Sequence, residues 1–273
     1  MLYLVPTPIG NLGDISDRMR QILAEADFIA AEDTRVTRKL LNHLAINRPL
    51  VSYHEHNQAT AGPKIVARLL AGETCALVTD AGTPAISDPG EALVALCAEA
   101  GVPVCAIPGP CALVTALCVS GLPTARFTFE GFLPVAAKER RTRLEALSGE
   151  TRTMVFYEAP HRLRETLDAL TAAFGPARRI ALCRELTKLH EEILRMTLSE
   201  AAAHYAQTEP RGEYVLVVEG AQEAQEAKLS LDEALALVRQ QIADGKSKKD
   251  AVKTVSALTG FPKNALYDAA LKE

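Results

Sequence analysis

The apolar residues of the first 120 positions alternate between two spacings. Short continuous apolar runs predict five strands, at Leu2–Val5, Phe28–Ala31, Leu50–Tyr53, Cys75–Thr79 and Val102–Ile107. Between the runs, apolar residues recur every three or four positions, which is the spacing of an amphipathic helix. Strands that are apolar without alternation are covered on both faces, as in a parallel sheet. The pattern therefore predicts an α/β domain.

A second unit extends from about Thr124 to Gly220. Its strand candidates are Arg126–Glu130, Thr153–Tyr157, Arg179–Cys183, Glu192–Thr197 and Tyr214–Glu219. Its helix candidates are Lys138–Leu147, His161–Phe174 and Ser199–Ala206. Two strands flank the short segment LTKLHE, so we expect part of this sheet to be antiparallel. The turn SGLPT at Ser120–Thr124 marks the expected boundary between the two units.

A third, small helical unit follows the polar, linker-like stretch AQEAQEAK at 221–228. Ser230 with Glu233 forms one predicted capping box, and Ser247 with Asp250 forms another. Gly260 is expected to end the second helix, and Pro262 suits the first turn of a third. Two short helices joined by a tight turn predict a hairpin of the helix-turn-helix kind. We thus divide the chain into residues 1–120, 121–220 and 229–273.

Composition limits the classes of protein that fit this pattern. No apolar run reaches the roughly 18 residues of a membrane span, and the start MLYLVPTPIG does not resemble a signal peptide. The six cysteines form no CxxC pair, which favours free thiols in a reducing cytoplasm. The formal net charge is -4, so any affinity for nucleic acid must come from local basic patches.

Four loops rich in glycine, proline and small polar residues follow strands of the predicted parallel sheet: Pro6–Ser16, Glu32–Arg35, Asp80–Gly90 and Pro108–Ala112. Ligands of such sheets bind beyond the carboxyl ends of the strands. Turns collect these residue types for structural reasons alone, but four such loops at one sheet edge favour a binding site that offers backbone groups to a ligand. The chain has neither GxGxxG after its first strand nor GxxxxGK[ST], which disfavours a dinucleotide or P-loop enzyme.

Several segments together resemble a known family. YLVPTPIGNLGDIS, AAEDTR, SYHEHN, TDAGTPAISDPG, PGPCA, EGFLP, FYEAPHR and CREL occur in this order over nearly the whole chain. They are similar to the ribosomal small-subunit methyltransferase I family, which belongs to the tetrapyrrole-methylase-like class of S-adenosylmethionine-dependent methyltransferases. The resemblance implies two α/β domains with the cofactor in the cleft between them. It also implies a homodimer that methylates the ribose 2′-oxygen of a cytidine in the decoding region of 16S rRNA.

The resemblance also implies a set of residues that contact S-adenosylmethionine. They are Pro8, Gly10, Asp80, Ala81, Gly82, Thr83, Ser87, Asp88, Pro108, Gly109, Pro110, Cys111, Ala112, Phe156, Tyr157 and Leu186. The family usually has serine where this chain has Cys111. Because a thiol is a weaker hydrogen-bonding group than a hydroxyl, we expect backbone contacts at Cys111 and no essential side-chain contact.

Methylation of a ribose hydroxyl requires alignment with the methyl group and benefits from a nearby base. Glu32, His54 and Glu158 are candidate bases, chosen because each follows a predicted strand beside the cleft. The pair His54 and His56 has the wrong spacing for two ligands on one helix face, and no cysteine or third histidine is close in sequence, so we expect no metal site.

Two basic stretches are candidates for contact with RNA phosphates. KERRTR at 138–143 opens a helix, and the segment from Gly245 onward has six lysines against three acidic residues. The RNA-binding candidates are Arg35, Lys138, Arg140, Arg141, Lys246, Lys248, Lys249 and Lys253. A solvated helix face would show the same charge pattern. Aromatic residues are only 5% of the chain, which favours recognition of structured RNA by shape and phosphate over extended base stacking.

Two other functions fit parts of the sequence. A small-molecule methylase acting on a tetrapyrrole-like macrocycle would share the fold, but its first loop would usually carry GxGPGD where this chain has TPIGNLGD. A non-catalytic RNA-binding assembly protein could also retain the fold. Retention of cofactor binding separates the last alternative from the two enzymes. The sequence leaves open the identity of the base, the target nucleotide, the dimer surface, and whether free rRNA or an assembled subunit is the substrate.

Overall fold

The computed structural model describes residues 1–222 and 230–270. Its first sheet is parallel throughout and has the order β3-β2-β4-β1-β5. The strands are β1 Leu2–Leu4, β2 Phe28–Ala31, β3 Leu50–Ser52, β4 Cys75–Val78 and β5 Val104–Ala106. The helices are α1 Asp17–Glu25, α2 Thr34–His43, α3 Gln58–Leu70, α4 Glu91–Glu99 and α5 Ala112–Val119. The five predicted strands and the α/β class are confirmed.

The interior of this sheet explains why its strands lack alternation. Cys75 and Leu77 of β4 pack into the cluster formed with α3 and α4. Ala76 and Val78, one position along, pack into the cluster on the opposite face with α1 and α2. Both faces of β4 are therefore apolar, and all four residues are almost completely buried. The carboxyl ends of the strands, and the loops that follow them, consequently meet at one edge.

The second sheet has the order β6-β7-β10-β8-β9 and is mixed, since only β6 and β7 run parallel. Its strands are β6 Phe127–Phe132, β7 Thr153–Glu158, β8 Arg179–Arg184, β9 Glu192–Thr197 and β10 Tyr214–Val218. Its helices are α6 Ala137–Leu147, α7 Leu163–Phe174 and α8 Leu198–Gln207. The predicted antiparallel pairing across LTKLHE is confirmed in β8 and β9.

The two faces of the second sheet are covered by helices from different parts of the chain. Helices α6, α7 and α8 pack on one face around residues such as Met154 and Phe156. Helix α5 packs on the other face, where Leu113 and Ala116 contact the cluster that contains Val155. Since α5 directly follows the last strand of the first sheet, it joins the two sheets into one compact unit, Met1–Ala221. The division at residue 120 stays a prediction.

The second compact unit, Gln222–Glu273, is helical where it is described. It contains α9 Leu231–Ala243, α10 Lys248–Thr259 and α11 Lys263–Ala269. Ser230 and Glu233 form the predicted capping box, and Ser247 accepts a hydrogen bond from the Asp250 N–H. Gly260 ends α10 with φ 72°, a conformation that glycine adopts without strain. The linker residues 223–228 and Leu271, which we placed on the last helix, lie outside the described residues.

Within residues 1–222 and 230–270, no helix combines the length and apolar character needed to cross a membrane.

Candidate active site

A cavity of about 450 Å³ lies between the carboxyl edge of the first sheet and the second sheet. We call it the first cavity. It is lined by the predicted cofactor residues Ala81, Gly82, Thr83, Ser87, Asp88, Cys111, Ala112, Tyr157 and Leu186. These residues come from the loops after β4, β5 and β8, from the first residue of α5 and from β7, which are far apart in sequence. The structure thus brings most of the predicted set into one place, and the volume is within the range of small-molecule sites.

The loops after β1 and β4 are joined by a two-residue bridge. The Thr7 N–H donates to the Gly82 carbonyl oxygen at 2.9 Å, and the Gly82 N–H donates to the Thr7 carbonyl oxygen at 3.0 Å. Gly82 has φ 89°, which a residue with a side chain adopts only with strain. The Thr83 hydroxyl donates to the Pro110 carbonyl oxygen at 2.8 Å. Three of the four predicted loops are therefore fixed to one another by hydrogen bonds.

The rest of the Asp80–Gly90 loop has an unusual backbone. Ala85 and Ser87 have φ of 69° and 62°, although neither is glycine. At Gly90, with φ 152°, a Cβ would lie 3.0 Å from the Ala85 nitrogen. Strained residues of this kind cost about 1–3 kcal/mol each and cluster at functional sites. The bends turn Ile86, Ser87 and Asp88 toward the first cavity.

The structure places the other predicted cofactor residues elsewhere. Pro8 and Asp80 line a separate, smaller cavity. Gly10 packs against the Lys188 side chain, and Gly109 packs against Pro6 and Met19, so both glycines allow close packing outside the first cavity. Pro108 is exposed, while Pro110 contributes its carbonyl oxygen as described.

The placement of the Phe156 side chain over the cofactor is wrong. Successive side chains of a strand point to opposite faces of a sheet. Tyr157 faces the first cavity, so Phe156 faces the opposite way and is buried among residues of α6, α7 and α8. The alternation rule, applied to β7 as one strand, would have excluded one of these two neighbours.

Sequence reasoning missed other residues of the cavity wall. They include Ile9, Ile86, Phe132, Cys183, Glu213, Tyr214 and Val215. Phe132 lies in EGFLP, one of the segments that resemble the family, and this resemblance could have identified it as a site residue. Its ring lies edge-on to Tyr157, with centroids 5.7 Å apart. Glu213 and Tyr214 reach the cavity because β10 lies between β7 and β8, a pairing that no local pattern reveals.

Tyr157 forms a rigid part of the wall. Its hydroxyl accepts a hydrogen bond from the Leu113 N–H at 3.1 Å, near the start of α5. Phe129 contacts its ring edge-on, with centroids 4.9 Å apart. Burial raises the pKa of the Tyr157 hydroxyl to about 12, so this group is neutral near pH 7. The tyrosine therefore supplies an apolar face and a fixed position rather than a charge.

Three carboxyl groups act on one another at the sheet edge. Burial, followed by the charges of Glu32 and Asp80, raises the pKa of Asp88 to about 7. Burial also raises the pKa of Glu32 and that of Asp80. The Glu32 carboxylate accepts from the Asp80 N–H at 3.3 Å, which ties the ends of β2 and β4 together. Of the three, only Asp88 lines the first cavity.

The three candidate bases have different surroundings. Glu158 reaches the cavity wall but is only 2% exposed; it accepts hydrogen bonds from the Thr166 hydroxyl and from the Ala159 N–H at 2.9 Å, and Arg162 lies 3.7 Å away. These partners occupy its oxygens and favour a structural function. Glu32 and His54 are not among the residues that line the first cavity. The catalytic assignments of all three stay predictions.

The two histidines of the HxH segment lie near each other. The rings of His54 and His56 are edge-on, with centroids 6.0 Å apart. Nδ1 of His54 is buried and has no hydrogen-bond partner among residues 1–222 and 230–270. No group of three or more histidine, cysteine, aspartate or glutamate side chains suited to a metal occurs in the part of the chain that the structure describes.

Among the RNA-binding candidates, Arg140 requires a correction. Its side chain is buried; it pairs with Glu165 and donates to the Val135 carbonyl oxygen at 3.2 Å. Arg140 therefore anchors the segment before α6 and is not available to a phosphate. Lys138 and Arg141, on the same helix, are exposed.

The remaining basic candidates differ in exposure. The Arg35 side chain is 87% exposed, although it pairs with Asp33 at 2.6 Å. In the helical unit, Lys246, Lys249 and Lys253 are exposed, whereas Lys248 donates to the Ala270 carbonyl oxygen. Contact of these residues with RNA stays a prediction.

Comparisons with known proteins agree with this architecture. Residues 1–202 match the family model described as Tetrapyrrole (Corrin/Porphyrin) Methylases, and residues 229–273 match the one described as RsmI C-terminal HTH domain. The ribosomal RNA small subunit methyltransferase I of Escherichia coli O157:H7 is 46% identical over 276 residues, covering 100% of this chain and 95% of that protein. The protein of the same name from Halalkalibacterium halodurans is 49% identical over 270 residues, covering 98% and 93%.

Solved structures with the same fold are more distant in sequence. The methyltransferase CobJ superposes with a TM-score of 0.60 at 18% identity, covering 81% of this chain and 94% of that one. A uroporphyrin-III C-methyl transferase from Thermus thermophilus, complexed with S-adenyl homocysteine, superposes with a TM-score of 0.55 at 18% identity, covering 80% and 96%.

The fold and the first cavity define a methyltransferase of the tetrapyrrole methylase class, whose cofactor is S-adenosylmethionine. The lining fits this cofactor, because apolar side chains alternate with backbone groups and with carboxylates that attract its positive charges. Within this class, the chain belongs to the ribosomal RNA small subunit methyltransferase I family.

The buried position of Arg140 predicts that its loss destabilises the protein. Arg140→Ala should lower the free energy of unfolding by about 2 kcal/mol, because it removes a buried side chain that donates to the Val135 carbonyl oxygen and pairs with Glu165, which is itself 63% exposed. Arg141 is the next residue of α6 and is exposed, so Arg141→Ala should change the free energy of unfolding by less than about 0.5 kcal/mol. Denaturant unfolding measures both. Equal stability of the two variants would contradict the anchoring function of Arg140.

Gly82 should matter for cofactor affinity beyond its effect on stability. In Gly82→Ala, the new Cβ lies 3.4 Å from Ile9, a residue of the first cavity, and the positive φ becomes strained. Gly72→Ala is the matched control, since Gly72 has φ 99° and no atom within 4 Å of the new Cβ. Both should lose about 1–2 kcal/mol of stability, but only Gly82→Ala should weaken binding of S-adenosylmethionine in calorimetry. Unchanged affinity in folded Gly82→Ala would remove Gly82 from the cofactor site.

Proposed function

We propose that this protein transfers a methyl group from S-adenosylmethionine to the ribose 2′-oxygen of a cytidine in 16S rRNA, in the decoding region of the small ribosomal subunit. The observation that carries the proposal is the first cavity. Its walls are built from the segments TDAGTPAISDPG, PGPCA, EGFLP, FYEAPHR and CREL, which the sequence shares with the family. Relatives at 45–49% identity carry the name of the small-subunit rRNA enzyme.

We assign the predicted cofactor contacts that line the first cavity to S-adenosylmethionine. Backbone groups of the loops around Gly82 and Cys111 would bind its polar edges, and Tyr157 and Leu186 would cover its apolar parts. The pre-formed hydrogen bonds among the loops favour this assignment, because binding would then require little ordering of the protein. Gly10, Gly109 and Phe156 would support the site by packing, not by contact.

When bound, the cofactor supplies an electrophilic methyl group on a sulfonium. The chain must then orient the ribose hydroxyl and accept its proton as the new O–C bond forms. We assign proton acceptance to Asp88. Its carboxyl group lines the first cavity and accepts no hydrogen bond from any residue in the described ranges, so its oxygens are available. A pKa of about 7 also suits a group that must gain a proton near neutral pH.

The other candidate bases would act indirectly. Glu32 raises the pKa of Asp88 by its charge, as Asp80 does. Glu158 would hold the end of β7 in position through Thr166 and Ala159. His54 lies close enough for its charge to lower the pKa of Glu32, and would therefore influence the same group of carboxylates.

The proposal includes three further statements about the protein's setting. The basic residues Lys138, Arg141, Lys246, Lys249 and Lys253 would contact rRNA phosphates, and exposed lysines suit such contacts. The protein would be a cytoplasmic homodimer. The three-part division of the chain would separate the cofactor loops, the sheet that closes the cleft and the RNA-binding helices.

The decisive measurement is transfer of a labelled methyl group to small ribosomal subunits that lack the modification. Nucleoside analysis should place the label in 2′-O-methylcytidine. Free 16S rRNA, tested in parallel, shows whether the assembled particle is required. Label in a tetrapyrrole instead of rRNA would support a small-molecule methylase, and RNA binding without cofactor binding would support an assembly protein.

The assignment of Asp88 predicts a specific dependence on pH. The rate of methyl transfer should rise with pH up to about 7 and then level off, because the carboxylate is the active form. Asp88→Asn should reduce kcat by about 10²-fold or more and abolish this dependence. Glu32→Gln should shift the rise to lower pH, since it removes a charge that raises the pKa of Asp88. A Glu32→Gln profile that coincides with that of the unaltered protein would contradict the coupling.

Stability and cofactor affinity serve as controls for Asp88→Asn. Because folding raises this pKa above its ordinary value of 3.8, the folded state binds the proton more tightly between about pH 4 and 7, and stability falls as pH rises through that window. Asn removes this loss, so the variant should be at least as stable as the unaltered protein at pH 8. Lost affinity for S-adenosylmethionine with unchanged kcat would show that Asp88 binds the cofactor and is not the base.

A further inference from the structure

We infer that a second cavity, of about 260 Å³, together with the basic helix α2, binds the unpaired RNA nucleotide next to the one that is methylated. The second cavity is lined by residues of the loops after β1 and β4 and by α2. This inference rests on the proposed function, because it identifies how the same site would hold its RNA strand.

The two cavities are separated by a thin partition. In the loop after β1, Pro8 lines the second cavity and the next residue, Ile9, lines the first. In the loop after β4, Asp80 lines the second cavity and Ala81 lines the first. The Thr7–Gly82 bridge joins these two loops. The partition therefore consists of only these two hydrogen-bonded loops. Two consecutive nucleotides of one RNA strand can lie on its two sides.

The walls of the second cavity combine apolar and cationic groups. Leu12 and Val36 line this cavity and are 48% and 38% exposed, so both offer apolar surface to a ligand. Lys39 and His43 line the same cavity from α2. An apolar cleft with cations at its border matches a nucleotide, whose base has two apolar faces and whose phosphate is an anion.

The charge of α2 supports a polyanionic ligand. The helix carries Arg35, Arg38, Lys39 and His43 and no acidic residue over its ten positions. Arg35 pairs with Asp33. Among the residues that the structure describes, Arg38, Lys39 and His43 form no ion pair within 4.0 Å of a carboxylate, and all three are exposed. The chain as a whole has a net charge of -4, so the positive charge is concentrated locally on α2. Such a local concentration of positive charge is expected where a protein contacts phosphates.

The position of the basic helix complements the acidic first cavity. Asp88 lines the first cavity, where the cationic cofactor binds, while Lys39 and His43 of α2 line the second cavity, whose wall also includes Asp80. The basic residues of α2 would attract the phosphates of an RNA strand that lies along this helix. The strand would then place one ribose on the other side of the partition, in the first cavity. The arrangement thus separates the binding of the polyanion from the binding of the cation.

Charge reversal at α2 tests this inference. Lys39→Glu should raise KM for the rRNA substrate about tenfold and reduce the salt dependence of RNA binding by about one phosphate contact, with affinity for S-adenosylmethionine unchanged. Lys64→Glu, an exposed lysine on α3, is the matched control and should affect RNA binding only slightly. Equal effects of the two variants would overturn the inference.

Filling the second cavity tests the place of the base. Val36→Trp should raise KM for RNA, whereas Val104→Trp should not, since Val104 has a similar exposure of 36% but lies on the edge strand β5, outside the residues that line either cavity. A photo-crosslinking amino acid at position 36 should label the nucleotide adjacent to the methylated cytidine. Crosslinks confined to distant nucleotides, or none, would overturn the inference.

The two proposals fail in distinguishable ways. If the unaltered protein methylates no rRNA, the proposed function fails. RNA binding that still depends on Lys39 and salt, with crosslinks from position 36, would then support the second cavity as an RNA site. If the protein methylates rRNA while Lys39→Glu and Val36→Trp behave like their controls, the proposed function stands and the inference fails.

Discussion

The two hydrogen bonds between Thr7 and Gly82 are the constraint on which the site depends. They hold the loops after β1 and β4 side by side at the edge of a parallel sheet, although the two residues are 75 positions apart in sequence. The Thr7 hydroxyl adds a third bond, to the Thr79 carbonyl oxygen at 3.0 Å. With these bonds in place, adjacent residues face opposite cavities, and the polar groups of both loops are satisfied where the chain is buried.

The sequence was most informative where local spacing determines structure. The ten strands found in residues 1–222 and 230–270 were all located to within about two residues, and those buried on both faces, such as β2 and β4, appear as continuous apolar runs. The loops of the first cavity were also identified, because glycine and proline mark backbone that approaches a ligand closely. The helix caps at Ser230 and Ser247 followed from spacings of three residues, which the structure reproduces.

The misplacements have a common physical origin in contacts between residues distant in sequence. Arg140 appears as part of a basic run, and only the packing of α6 shows that it is buried against Glu165. The proposal that Asp88 accepts the proton rests on burial and on charges from the ends of β2 and β4, whereas the catalytic assignments of Glu32 and Glu158 stay predictions. Lys39 and His43 of α2 were overlooked, because only the folded structure shows that they line a cavity together with the loop after β1.

Helix α5 has a consequence for how the chain could be divided or engineered. Its sequence follows the last strand of the first sheet, and its residues Leu113, Ala116 and Leu117 are part of the core of the second sheet. A chain cut near residue 120 would leave one fragment with an uncovered apolar helix and the other with an uncovered sheet face. The two halves are therefore expected to fold only as one unit. A chimera of two relatives would be stable only if α5 and the second sheet came from the same protein.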